Sequence, residues 1–269
     1  MSGLANSLYL AGSFYDFRDK IIASAPFNVV DARNNPQHAM FETNKADLEA
    51  AIETPAFGLC LPKGKPAGVM TMVELGAAYS SGSEIIVANE VEGELDLPTG
   101  MLLKNASRHY FRSIDDMVSF FQGYTLPEKS PAKRPAEKAG PVKRIAVYGL
   151  EPDALDVKGK EVVQGAYTIK DAKEFEAGKV DILAVGFPRG KPHDRFACFM
   201  MGAATFHRVP IIVYTDRKAP YPPLTGGLQR RLFTDMDAVK YYLQSVQSQD
   251  ITTESRVMYE IFKKFDGEM

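Results

Sequence analysis

Residues 70–90 read MTMVELGAAYSSGSEIIVANE, and residues 196–216 read FACFMMGAATFHRVPIIVYTD. The second stretch follows the first at an offset of 126 residues without a gap. Each is an apolar run of helical length, a turn, and an Ile-Ile-Val run of strand type. The match extends upstream to a shared Pro-x-Gly-Lys-Pro, so that about ten positions coincide where chance gives roughly two. Self-similarity at a fixed offset marks a duplicated structural unit. Further out, RHYFRSIDDMVSFFQ answers RRLFTDMDAVKYYLQ, and SLYLAGS answers RIAVYGL, so whole domains are repeated. They are expected at 1–127 and 143–269, joined by a linker over 128–142.

The linker, within PEKSPAKRPAEKAGPVK, has almost nothing to bury and reads as a solvated tether. In the first copy SLYLAG, FNVV, AFGLCLP and EIIVAN are strand candidates, with RHYF a weaker fifth. Helical patterns lie between them in DFRDKIIASA, NKADLEAAIE and MTMVELGAAYSS, with SIDDMVSFFQGY last. Near-continuous apolar strands alternating with helices mean parallel sheets covered on both faces. The expected fold class is α/β: two flavodoxin-like domains, each a doubly wound parallel sheet, related by internal duplication. Ser113 and Asp235 occupy matching helix N-cap positions. The tail TTESRVMYEIFKKFDG, with Val257, Met258, Ile261, Phe262 and Phe265 apolar, is expected to form an amphipathic helix docked on the protein itself.

Composition bounds the function. A hydrophobic content of 45%, a charged content of 25% and a net charge of −2 describe a globular chain with no global pull toward nucleic acid or membrane. No stretch reaches the ~18 apolar residues of a membrane span, and a cytoplasmic protein is expected. Cys60 and Cys198 sit in apolar runs and read as buried free thiols. His38, His109, His193 and His207 show no metal spacing, and no cofactor or metal is implied.

Sheets of this class bind ligands beyond the carboxyl ends of their strands. Three loops should gather there in copy one: Gly12 and Ser13 after the first strand, DARNNPQH after the second, and LPKGKPAG after the third. The last leads into a helix N-terminus, which suits an anion, and carries Lys63 and Lys65. A plain solvated loop explains the same residues. Glu74 is sharper: it lies among apolar residues, where a carboxylate is expensive unless it lines a cleft or is paired. The second copy has Met200 at that place, which argues against a fully solvated face.

The elements LYLAGSF and Thr71-x-x-Glu74-Leu75-Gly76-x-Ala78 before an IIV strand resemble the nucleoside 2-deoxyribosyltransferase superfamily, which includes 2′-deoxynucleoside 5′-monophosphate N-glycosidases. The resemblance covers most of 7–125 and, in decayed form, 143–245. It implies that Glu74 is a nucleophile attacking C1′ of a nucleoside or nucleotide, with Gly12, Ser13, Phe14 and Thr71 at the substrate. It also implies an Asp six residues before the nucleophile to handle the proton of the base; here that residue is Gly68. By position, Asp31, Asp16 and His38 are substitutes. Copy two inverts the pattern, with Asp194 opposite Gly68 and Met200 opposite Glu74. The pair could act as an intramolecular pseudo-dimer in which Asp194 supports the site of copy one; decay of a spare copy explains the inversion equally well. A homo-oligomer stays open. Other readings are a phosphoribohydrolase of the lysine-decarboxylase-like type, whose Gly-Gly loop is absent here, and a non-catalytic nucleotide-binding module.

Overall fold

Alternation of side chains along the strands decides which helices each sheet face carries. The structure, a computed structural model of the chain, describes residues 4–12, 17–34, 40–65, 68–130, 132–136, 140–155, 157–216 and 228–247. The helix expected in the tail lies outside these residues. The chain divides into two compact units, Met1–Lys133 and Arg134–Met269.

Unit 1 runs β1 (Ser7–Gly12), α1 (Phe17–Ser24), β2 (Asn28–Asp31), α2 (Met40–Glu53), β3 (Ala56–Leu61), α3 (Val69–Ser80), β4 (Glu84–Asn89), α4 (Leu97–Ala106), β5 (His109–Phe111) and α5 (Ile114–Phe121). Its five strands pair in parallel in the order β2-β1-β3-β4-β5. Leu8 and Leu10 of β1, Cys60 of β3 and Ile86 of β4 form one core with Ile21 of α1 and Met117 and Phe121 of α5. The intervening residues, among them Tyr9 and Phe57 in ring contact at 5.7 Å, face the opposite way. Both layers are dry, because β1 and β3 are buried along their length. This is the doubly wound, flavodoxin-like arrangement.

Unit 2 runs β6 (Arg144–Tyr148), β7 (Glu161–Gln164), α6 (Lys170–Glu176), β8 (Ile182–Gly186), α7 (Arg195–Phe206), β9 (Ile211–Tyr214), β10 (Arg231–Phe233) and α8 (Met236–Ser245). Its five strands, read from β7, follow β7-β6-β8-β9-β10, the same order as unit 1. No α-helix separates β6 from β7 among the described residues; a 3-10 turn at Pro152–Leu155 stands where unit 1 has α1. Leu150, Leu155 and Val157 fill that face against Val239 and Leu243 of α8.

The repeated motifs turn out to be repeated geometry. In Pro62-Lys63-Gly64-Lys65 the N–H of Lys65 donates to Pro62 O at 3.0 Å, and in the second copy Lys191 donates to Pro188 O at 3.4 Å. Gly64 and Gly190, at φ +70° and +80°, supply the left-handed residue such a turn requires. Glu90 accepts from Lys63 N in one copy, as Asp216 accepts from Arg189 N in the other. Gly12 and Gly149 close the first strand of each unit at φ +113° and +67°. A Cβ on Gly12 would lie 2.5 Å from Cys60 O, and one on Gly149 2.3 Å from Gly186 O. Gly12→Ala is therefore expected to destabilise the chain by about 2 kcal/mol or more, read as a lower urea midpoint.

The N-caps fall where the sequence places them: Ser113 accepts from Asp116 N and Asp235 from Asp237 N. One helix, α4, was not anticipated. Asp96 caps it and Pro98 sits in its first turn, a regular start signal inside a short, Gly-containing segment. The linker also differs from a solvated tether. Lys129 is half-buried, its ammonium donating to Ile52 O, Thr54 O, Ser81 Oγ and Ser83 Oγ of unit 1. Arg134 donates to Thr205 O and Phe206 O of unit 2. A segment with few apolar residues docks here because helix ends offer carbonyls to its cations.

Candidate active site

Glu74 lies in the second turn of α3, a helix buried continuously from Thr71 to Ala78. Its apolar composition on all sides presses it onto the sheet, and the carboxyl goes in with it, leaving Glu74 5% exposed. Across from it, α2 turns Asp47 and Asn44, one helical turn apart, away from solvent at 7% and 5% exposure. Tyr9, in β1, is fully buried.

The Tyr9 hydroxyl meets no partner at full hydrogen-bond geometry, yet it faces the Glu74 and Asp47 carboxyls closely enough for each to act on it. Burial, then the charge of Glu74, then that of Asp47, push the phenol well above its ordinary value. Glu74 is pushed up to about 8, first by burial and next by Asp47; Arg18 and the Tyr9 hydroxyl pull the other way. A buried hydroxyl flanked by two acids is a place where one proton can be held by either acid.

Asp31, at the end of β2, has a different occupation. Its Oδ1 accepts from Arg18 Nη1 at 2.6 Å and from Arg33 N at 3.0 Å, and its Oδ2 from Arg33 Nε at 2.6 Å. Both oxygens of Asp31 are thus engaged by guanidinium donors, which fixes the end of β2 against α1. Arg18 is wholly buried and also donates to Leu10 O at 2.9 Å and Gly12 O at 2.5 Å, so it clamps the carboxyl end of β1.

At the start of α3, Gly68 is the N-cap and no side chain caps the helix. Lys63 and Lys65 are exposed in the turn just before it, and Thr71 is buried in its first turn. Ser13, Phe14, Asp16 and His38 lie outside the described residues. In unit 2 the corresponding helix start is closed. Asp194 accepts from Ala197 N at 2.9 Å and from the Tyr167 hydroxyl at 2.7 Å, while that hydroxyl accepts from Gly149 N at 3.1 Å. Both Asp194 oxygens thus have partners within unit 2. Tyr148, Tyr167 and Phe196 pack their rings together beside it, and Met200 is buried. Cys60 and Cys198 are buried free thiols. Among the described residues no group of three acids, histidines or cysteines is placed to hold a metal ion, and no helix is long and apolar enough to cross a membrane.

The residue that sequence reasoning missed is Asp47. No protein-family model, curated protein or solved structure matches the chain.

Proposed function

We propose that unit 1 cleaves or transfers at the N-glycosidic bond of a nucleoside or nucleotide, with Glu74 as nucleophile and Asp47 as the acid that serves the leaving base. The observation that carries this reading is a pair of buried carboxyls, Glu74 and Asp47, that both act on the buried Tyr9 hydroxyl. The resemblance to the nucleoside 2-deoxyribosyltransferases supplies the role of Glu74. Asp47 answers the gap left by Gly68.

Burial and the neighbouring Asp47 push Glu74 up to about 8, which favours its protonated form. Passing that proton by way of Tyr9 to Asp47 leaves an anion at Glu74 and an acid at Asp47. A Glu74 oxygen then bonds to C1′ as the C1′–N bond breaks, the bonding pair goes to the base, and the base takes the Asp47 proton. The cation-like sugar of the transition state favours the anionic Glu74 just where it is needed. In the second half water, or a second base, attacks C1′, gives its proton to Asp47 and releases Glu74. The open N-terminus of α3, with Lys63 and Lys65, favours a substrate bearing a phosphate.

The test is a panel of ribo- and deoxyribonucleosides and their 5′-monophosphates, with and without a second free base, followed by chromatography of the base. Base release that disappears in Glu74→Ala is the expected result, and exchange against plain release separates transferase from hydrolase. A nucleotide that binds both proteins equally and is not turned over by either would replace this reading with that of a binding module.

A further inference from the structure

The ends of α2 and α3 meet in unit 1 around a single cation. The Lys129 ammonium donates to Ile52 O, to Thr54 O at 3.1 Å, to Ser81 Oγ at 3.0 Å and to Ser83 Oγ at 2.8 Å. Two of these oxygens close α2 and two follow α3. The hydroxyl protons are committed elsewhere: Ser81 donates to Ala78 O at 2.9 Å and Ser83 to Thr54 O at 2.9 Å. Each hydroxyl therefore turns a lone pair toward Lys129. Thr54 and Ser83 are both buried. Burial pulls the ammonium down to about 8, with the Glu53 carboxylate opposing, so it is charged at pH 7.

This set of oxygens is unlike an ordinary ion pair. It consists of two carbonyls and two hydroxyls, with no carboxylate among them. An ammonium has three protons, so four acceptors exceed what one-to-one hydrogen bonding uses. Neutral oxygens gathered about a point charge in this way take the place of the hydration shell of a monovalent cation.

The duplicate shows that the fold does not require them. After α3 the N–H groups of Ser81, Gly82 and Ser83 donate to Ala77 O, Tyr79 O and Ala78 O; after α7 those of His207, Arg208 and Val209 donate to Ala203 O, Thr205 O and Ala204 O. The turn is the same, and its left-handed residue is Gly82 at φ +80° in one copy and Arg208 at φ +57° in the other. The hydroxyls are not kept: His207 and Val209 stand in the places of Ser81 and Ser83. Unit 2 meets a cation differently, with the Arg134 guanidinium against Thr205 O and Phe206 O. A planar guanidinium suits helix-end carbonyls, whereas converging oxygens suit a compact charge.

We propose that the junction of α2 and α3 is a site for a monovalent cation of ammonium or potassium type, which this chain fills with its own Lys129 and which takes the free ion when that lysine is removed. The site joins the helices that carry Asp47 and Glu74, yet it holds a cation whether or not those acids cleave a glycosidic bond.

The test removes the tethered cation and offers a free one. Lys129→Ala, in the full chain at pH 7, is melted in a calorimeter in ammonium chloride and, at equal concentration, in tetramethylammonium chloride, whose ion is bulkier and has no N–H to donate. In the tetramethylammonium salt the variant should melt several degrees below the parent. In about 0.2 M ammonium chloride it should recover half of that loss or more, because an ion that binds only the folded chain stabilises it by mass action. Potassium chloride should act in the same direction. The parent, its site already filled, should melt alike in both salts. Lys129→Ala/Ser83→Val, which puts the unit 2 residue in place of one hydroxyl, should recover little. Recovery confined to Lys129→Ala supports the proposal. A Lys129→Ala that melts with the parent, or that gains no more from ammonium than the parent and the double variant do, overturns it. Should the double variant fail to fold, the parent alone is the control and the same two outcomes decide.

Discussion

Glu74→Gln is expected to make the protein more stable in mildly alkaline solution while ending its turnover. The folded-state value near 8 stands against an ordinary 4.5 for a solvated glutamate. Between those two values the folded chain holds a proton that the unfolded chain has released, so folding loses stability as pH rises through that window. Below about pH 4.5 both states are protonated and Glu74 contributes no penalty. Above about pH 8 the full penalty is present, of order 3–5 kcal/mol at about 1.4 kcal/mol per unit of separation. Glutamine keeps the shape and has no charge to bury. The gap between variant and parent should therefore be small at pH 5, about 1 kcal/mol or less, and grow to several degrees or more in Tm by pH 8.5. Turnover should fall by at least about a thousandfold at every pH, since no amide can form the glycosyl ester. Calorimetry of both proteins from pH 5 to 9 checks the first claim. A gap that stays constant across that range would mean that Glu74 is not the buried acid described here.

Much of this was written in the sequence, and the exceptions have physical causes. That the sheets are parallel and covered on both faces followed from near-continuous apolar runs alternating with helical patterns, and the repeat carried it to unit 2. Glu74 stood out because its partner in the second copy is methionine. Asp47 did not stand out: in NKADLEAAIE it reads as one of several acids on an ordinary amphipathic helix, and only the packing of α2 on α3 turns it inward. Arg18 in DFRDK likewise reads as a solvated residue at a helix start. It is buried because the carboxyl edge of β1 presents carbonyls, and Asp31 a charge, within its reach. Lys63 and Lys65 show the reverse lesson. Shared with copy two, their motif is in the first place a turn with a left-handed glycine, and any anion site is built on top of that turn. Pattern reveals what a segment does alone; what it does against its neighbours needs the fold.

Asp47→Asn is expected to invert the pH profile as well as lower the rate. In the parent, the reactive form of the pair keeps one proton, so kcat/KM should be level toward neutrality and fall about tenfold per unit above pH 8, where the last proton leaves. Asparagine can neither accept the proton from Glu74 nor give one to the base. The loss of general acid assistance should lower kcat by about a hundred- to ten-thousandfold for natural bases. It should be far smaller for a sugar carrying a leaving group that departs without a proton, such as nitrophenolate. At the same time the negative charge that helps hold Glu74 near 8 is gone. The only requirement left is an ionised Glu74, so the residual rate should rise with pH and level off below pH 8. Rate against pH with both kinds of leaving group separates the possibilities. A variant whose rate falls above pH 8 as the parent's does, or whose loss is the same for both leaving groups, would remove Asp47 from the role of acid and confine it to holding α2 against α3. An inverted profile with a leaving-group dependence would tie the acid on α2 and the nucleophile on α3 to one proton, shared across the hydroxyl of Tyr9.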